Sequence, residues 1–130
     1  MHPLDGRVVI NFIAQALKSK PLTLYGDGSQ TRSFCYVDDL IEGLFKLMES
    51  SHTGPINLGN PEEITILNLA ELIRKKIDPS IDFLLKPLPK DDPKKRKPDI
   101  TLAKDILKWR PEINIDEGLN KTIRYYKAKI

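Results

Sequence analysis

Apolar residues along the chain recur with helical spacing in five places and cluster into short runs in four others. In 8–17 they fall at Val9, Phe12, Ile13, Ala16 and Leu17, a spacing that predicts a helix ended by Pro21. In 38–48 they fall at Leu40, Ile41, Leu44, Phe45 and Met48, with Asp38 or Asp39 as a cap. Thr65 is placed to cap a third helix carrying Leu67, Leu69, Ala70, Leu72, Ile73 and Ile77. A short helix over 102–107 and a last one over 116–127, with Leu119, Ile123 and Tyr126 on one side, complete the helical set. Between them, 22–25, 33–37, 55–59 and 81–85 predict strands, bounded by Gly26-Asp27-Gly28-Ser29, Gly59-Asn60-Pro61 and Asp78-Pro79-Ser80.

The resulting order is helix, two strands, helix, strand, helix, strand, helices, an α/β or α+β pattern without internal repeats. The stretch 86–98, rich in proline and charge, predicts a loop. One part of a complete nucleotide-dependent α/β enzyme is missing from the pattern: an initial strand leading through a glycine-rich loop into a helix. Gly26-Asp27-Gly28 does not qualify, because it leads into another strand.

Composition narrows the class. The 130 residues are 40% hydrophobic and 30% charged, the balance of a folded domain rather than a disordered tail. The net charge of +3 is small and acidic residues are spread along the chain, so charge does not call for nucleic acid or membrane. The single cysteine, Cys35, excludes an internal disulfide and permits a reducing compartment. His2 and His52 lie far apart without neighbouring cysteines, which argues against a structural zinc site. No apolar run reaches bilayer length and the start lacks a signal-peptide core, so the expectation is a cytoplasmic protein.

Three constellations carry candidate chemistry. The first is Leu24-Tyr25-Gly26-Asp27-Gly28-Ser29-Gln30-Thr31-Arg32-Ser33-Phe34. Its plain interpretation is a β-hairpin with a solvated arginine. Its functional one is a ligand loop, since a ring, backbone amides and an arginine suited to bidentate phosphate contact converge there. The second, Lys94-Lys95-Arg96-Lys97, is an ordinary solvated run unless one cation packs under an anionic ligand. It is short, flanked by acids and free of interleaved aromatics, which makes a nucleic-acid patch the weakest alternative. The third, Asn57-Leu58-Gly59-Asn60-Pro61, is a strand end and turn, or a place where Asn57 offers its amide to a ligand. The acid pairs Asp38-Asp39, Glu62-Glu63 and Asp91-Asp92 are adjacent in sequence and point apart, as caps and solvated groups do.

Taken in order, Met1-His2-Pro3-Leu4-Asp5-Gly6-Arg7-Val8-Val9, Tyr25-Gly26-Asp27-Gly28-Ser29-Gln30-Thr31-Arg32, Asn57-Leu58-Gly59-Asn60-Pro61-Glu62-Glu63 and the tail from Asp91 to Ile100 resemble the UDP-glucuronate decarboxylases of the extended short-chain dehydrogenase/reductase family. The glycine loop ending in arginine is shared with nucleotide-sugar epimerases and dehydratases. The Arg-Lys-Pro-Asp-Ile element and the Met-His-Pro start are narrower.

The resemblance implies an NAD-dependent lyase acting on UDP-glucuronate. The sugar C4 hydroxyl is oxidised, the β-keto acid loses carbon dioxide, and the hydride returns to give UDP-xylose. Thr23, Leu24 and Tyr25 match the stretch lining the uridine, Gln30 and Arg32 the end of the same loop with Arg32 on the diphosphate, and Asn57 a nucleotide contact. Arg96 matches an arginine that stabilises the enolate or donates a proton; at the usual arginine pKa the electrostatic role comes first. Where a relative carries a tyrosine before this arginine, the chain has Lys90.

The family's NAD loop and its Tyr-x-x-x-Lys pair find no match. Their absence implies a C-terminal, substrate-binding part over 1–130 with only a remnant of the Rossmann sheet, to which 38–60 contributes a helix and a strand. The partner expectations are a UDP-sugar, an N-terminal Rossmann half that is missing or separately encoded, a family habit of dimerising, and neither nucleic acid nor membrane. Alone, the chain is expected to be inactive and marginally folded, with Ile56 and Leu58 on an open edge and apolar surface prone to association.

Overall fold

The computed structural model describes residues 8–87 and 98–129. Helix α1 (Val8–Leu17) leads into strand β1 (Leu22–Tyr25), a turn, strand β2 (Thr31–Arg32) and helix α2 (Val37–Glu49). Strand β3 (Ile64–Thr65) runs directly into α3 (Ile66–Ile77), followed by β4 (Phe83–Lys86), α4 (Thr101–Ile106) and α5 (Ile115–Lys127). Caps explain two starts: the Thr65 hydroxyl accepts from the Asn68 amide at 3.1 Å, and Asn114 Oδ1 accepts from the Glu117 amide at 2.8 Å.

The sheet pairing differs from a hairpin. β1 runs parallel to β4, Leu22 opposite Phe83 through Tyr25 opposite Lys86, and β2 pairs antiparallel with β3, Thr31 opposite Thr65. Left-handed backbone at Gly26 (φ 66°) and Gly28 (φ 75°) turns the chain away from β1 toward β3. The expected strands at 33–37 and 55–59 form no ladder among the described residues, because neither has a neighbouring strand to bond.

Two apolar clusters hold the elements. The larger joins α1 (Ile10, Phe12, Ile13), β1 (Leu22, Leu24), α3 (Leu69, Ile73) and α5 (Leu119, Ile123, Tyr126). The smaller is built on Trp109 with Ile100, Ala103 and Leu107, and Cys35, Leu47, Ile56 and Leu58 pack against it. Ile56 and Leu58 are thus half-buried on Trp109 rather than left on an open edge. Among the described residues no helix is long and apolar enough to cross a membrane.

Helix α2 is built inside out. Its buried residues are Asp39 and Gly43, while Ile41, Leu44, Phe45 and Met48 are exposed, Met48 at 82%. Asp39 does not cap its helix; Tyr36 holds that position without a side-chain bond. The Asp39 carboxylate instead accepts from the amides of Glu112 (3.1 Å) and Ile113 (2.9 Å), and its main-chain oxygen accepts from the Trp109 indole at 2.9 Å. Gly43 lets the ring come close, since a Cβ there would stand 3.0 Å from Trp109 Cε2. The expectation of exposed apolar surface holds, on this helix rather than on a strand edge.

Two outcomes follow from the latch and the bare face. Asp39→Ala leaves two amides without their acceptor, so urea unfolding will show a loss of about 1–3 kcal/mol. Phe45→Lys with Met48→Lys, on the exposed face, will change stability by less than about 0.5 kcal/mol. The same pair will lower the sedimentation-measured self-association of the chain; an unchanged association would mean that this face is not the sticky one.

Candidate functional site

The segment from Thr23 to Arg32 is held from two sides. On one side Gln15 of α1 grips Thr23: the Thr23 amide donates to Gln15 Oε1 at 3.1 Å and Gln15 Nε2 donates to the Thr23 hydroxyl at 2.9 Å. On the other, α3 grips the turn. The amides of Ile66 and Leu67, in a first helical turn that has no intrahelical acceptors, donate to the carbonyls of Gln30 (2.9 Å) and Gly28 (3.0 Å). The contact requires glycine at 28, because a Cβ there would lie 2.9 Å from Leu67 Cβ on backbone of positive φ. Inside the turn, Asp27 Oδ1 accepts from the Ser29 amide at 3.0 Å.

The side chains named from sequence divide by orientation. Leu24 is fully buried in the larger core, so a ligand could meet only its backbone. Tyr25 is 43% exposed at the strand end. Gln30 is buried and turned inward, its Nε2 donating to the Tyr25 carbonyl at 3.3 Å, which closes the base of the turn. Arg32 is half-buried on β2, one Nη1 donating to the Thr31 carbonyl at 2.7 Å, and Thr31 donates to Glu63 Oε2 at 2.8 Å.

Thr23, Tyr25, Gln30 and Arg32 therefore belong to one short, pinned stretch. Asn57 is exposed between Ile56 and Leu58 beside the Trp109 cluster, and among the described residues no hydrogen bond ties it to the turn. Arg96 lies outside the described residues. The described end of its segment, Pro98, packs on Gly59, where a Cβ would stand 2.9 Å from Pro98 Cγ, so Pro98 docks two residues beyond Asn57.

Two contributors escaped sequence reasoning. Gln15 carries no motif, and its role depends on α1 packing beside β1. Asp39, taken as a cap or solvated acid, is buried at 5% exposure by partners more than 70 residues away. Next to it Cys35 is half-buried, and burial first, then the Asp39 charge, pushes its thiol up to about 11. Both causes disfavour thiolate, so alkylation of Cys35 will be slow at pH 8 and will rise about tenfold per pH unit toward pH 11. Rapid modification at pH 8 would mean that the site is more open than described.

Known proteins share this sequence and fold. The sequence profile of the NAD dependent epimerase/dehydratase family matches residues 1–59. The fold superposes on UDP-glucose 4-epimerase of Thermotoga maritima, solved with UDP-glucose, at a TM-score of 0.93 and 29% identity over 98% of this chain and 42% of that one. It also superposes on UDP-glucuronic acid 4-epimerase of Bacillus cereus, solved with UDP-glucuronic acid and NAD, at 0.89 and 30% over 96% and 41%. The chain is thus similar in sequence and fold to proteins of the NAD dependent epimerase/dehydratase family. It is also similar to the UDP-glucuronic acid decarboxylases: 55% identical to decarboxylase 1 of Arabidopsis thaliana over 97% of this chain and 29% of the relative, and 52% identical to decarboxylase 1 of Danio rerio over 100% and 31%. The chain spans about a third or less of the length of these relatives.

The residues described here do not fit the dinucleotide that the family name carries. Gly28, in the one glycine-rich turn between described elements, has its open face filled by Leu67 and leads into β2 rather than a helix. No step through NAD is therefore assigned to this chain.

Proposed function

We propose that this chain forms the UDP-sugar-binding part of a UDP-glucuronate decarboxylase, and that it is inactive until joined to residues that hold NAD. The observation that carries this reading is the pinned stretch 23–32. It displays a strand edge, an exposed ring and an arginine together, in a chain 52–55% identical to decarboxylases over nearly all its length. Thr23, Leu24 and Tyr25 then line the uridine, Leu24 through its backbone alone. Arg32 meets the diphosphate. Gln30 supports the turn from below, and Asn57 contacts the nucleotide.

Arg96 stands near the sugar carboxylate, where a fixed cation stabilises the enolate left as carbon dioxide departs. Its guanidinium remains charged throughout the working pH range, which suits that electrostatic role. The bare apolar face of α2 is covered by the upstream Rossmann half, which brings the dinucleotide loop and the tyrosine–lysine pair. Ile41, Leu44, Phe45 and Met48 supply the apolar area such docking needs.

A second reading keeps the family and changes the reaction to 4-epimerisation or 4,6-dehydration. It draws on the solved 4-epimerases that share the fold. The two separate on ligand preference, because a decarboxylase selects the charged sugar.

Calorimetric titration tests the leading reading. UDP and UDP-glucuronate will bind the chain, UDP-glucuronate more tightly than UDP-glucose, and Arg32→Ala will weaken UDP by about tenfold to a hundredfold, the range of a lost charge-assisted contact. A folded chain that binds no UDP, or an Arg32→Ala variant that binds as well as the parent, would overturn it.

A further inference from the structure

We propose that the outer edge of β4 is a self-complementary docking strand, on which a second copy of this chain pairs antiparallel about Leu84. This goes beyond the nucleotide reading and does not depend on it. The amides of Leu22 and Gly26 donate to the carbonyls of Asp82 and Lys86, and the parallel register sets Leu22 opposite Phe83. Residues 82, 84 and 86 therefore turn main-chain groups to β1, and alternation turns those of Phe83 and Leu85 to the far side. That far edge is unpaired among the described residues. Leu84 and Leu85 stand on the strand at 49% and 65% exposure, an apolar edge of the kind that takes another chain.

The main-chain groups select a register. With Leu84 opposite the partner's Leu84, Phe83 exchanges N–H···O bonds with the partner's Leu85, and Leu85 does the same with the partner's Phe83. Centring on Phe83 would set Ile81 against the partner's Leu85, but the Ile81 amide already donates to Asp78 at 3.2 Å and its carbonyl accepts from Arg74 at 3.1 Å. Centring on Leu85 would set Phe83 against the partner's Pro87, which has no N–H to give. Leu84 opposite the partner's Leu85 would set outward groups against inward ones.

The charges select the same register. Asp82 falls opposite the partner's Lys86, and Lys86 opposite the partner's Asp82. Both side chains are exposed. One face of the joined sheet then reads acid, leucine, base against base, leucine, acid. The leucines form a non-hydrogen-bonded pair with Cα atoms about 4.5 Å apart, where side chains meet most closely. Lys86 alone would guard the edge against pairing; Asp82, on the other side of Leu84, supplies the opposite charge where a second copy needs it. The contact is closed and isologous, so it stops at two chains. β4 packs on the larger cluster and α2 on Trp109, so this edge and the bare face of α2 belong to different parts of the fold.

The test is sedimentation of the chain carrying Phe45→Lys and Met48→Lys, which silences association through α2, with circular dichroism to confirm folding. This parent will show a concentration-dependent equilibrium between monomer and dimer. Asp82→Lys and Lys86→Asp, each added singly, set like charges opposite each other at both ends and will weaken the dimer by at least about tenfold. An equimolar mixture of the two will recover the parent's affinity within about threefold, because each chain then meets its opposite charges on the other. With Cys35→Ser removing the one native thiol, Leu84→Cys will oxidise to a disulfide-linked dimer. Leu85→Cys, although more exposed, will do so far more slowly, since only position 84 meets its own copy.

A parent that stays monomeric at millimolar concentration would overturn the proposal. So would single charge variants that associate as the parent does, or a mixture no tighter than either variant alone. Equal cross-linking at positions 84 and 85 would overturn the register and the proposal with it. If a charge variant does not fold, the two cysteine variants decide the question alone.

Discussion

Everything the candidate site offers depends on two amides at the start of α3. A helix begins with N–H groups that its own backbone cannot satisfy. Here those of Ile66 and Leu67 are satisfied by the carbonyls of Gln30 and Gly28, so the helix start and the turn after β1 share one set of hydrogen bonds. That bond pair demands close approach, and close approach demands glycine at 28. The turn is therefore held by the larger core, through Leu69 and Ile73 further along the same helix. A stretch carrying Tyr25 and Arg32 would otherwise be an exposed loop of ordinary mobility.

The second constraint is the orientation of α2. A helix that buries an aspartate and a glycine and exposes isoleucine, leucine, phenylalanine and methionine contradicts the usual direction of burial. It is stable in place because its inner face gains directional bonds in exchange: Asp39 to two amides and its carbonyl to the Trp109 indole. The outer face is then left to be covered by something other than the described residues. Ile41, Leu44, Phe45 and Met48 make that face the apolar surface on which the proposed docking of a Rossmann half rests.

Local signals were legible and distant pairings were not. The helices at 8–17 and 66–77 follow from apolar spacing and from Thr65, whose capping hydroxyl needs only its own next three residues. β1 was legible as a strand, yet its partner lies sixty residues on, and adjacent runs around Gly26-Asp27-Gly28 suggest a hairpin that does not form. Asp39 was misread because capping explains it from neighbours alone, whereas its partners, Glu112 and Ile113, are close only in the fold. In the site, the turn at Gly26-Asp27-Gly28 was legible from its glycines, but the inward turn of Gln30 and the burial of Leu24 depend on packing that no spacing reveals. Gln15 was invisible for the same reason.

The most direct test of a pinned nucleotide-binding stretch is the amide spectrum of the isotopically labelled chain as UDP is added. The largest shifts will fall on Thr23, Tyr25 and Arg32, with smaller ones at Ile66 and Leu67, whose hydrogen bonds hold the turn, while the Trp109 indole signal stays in place. A folded chain whose Thr23, Tyr25 and Arg32 signals do not move at saturating UDP, or move less than those around Trp109, would contradict the site described here.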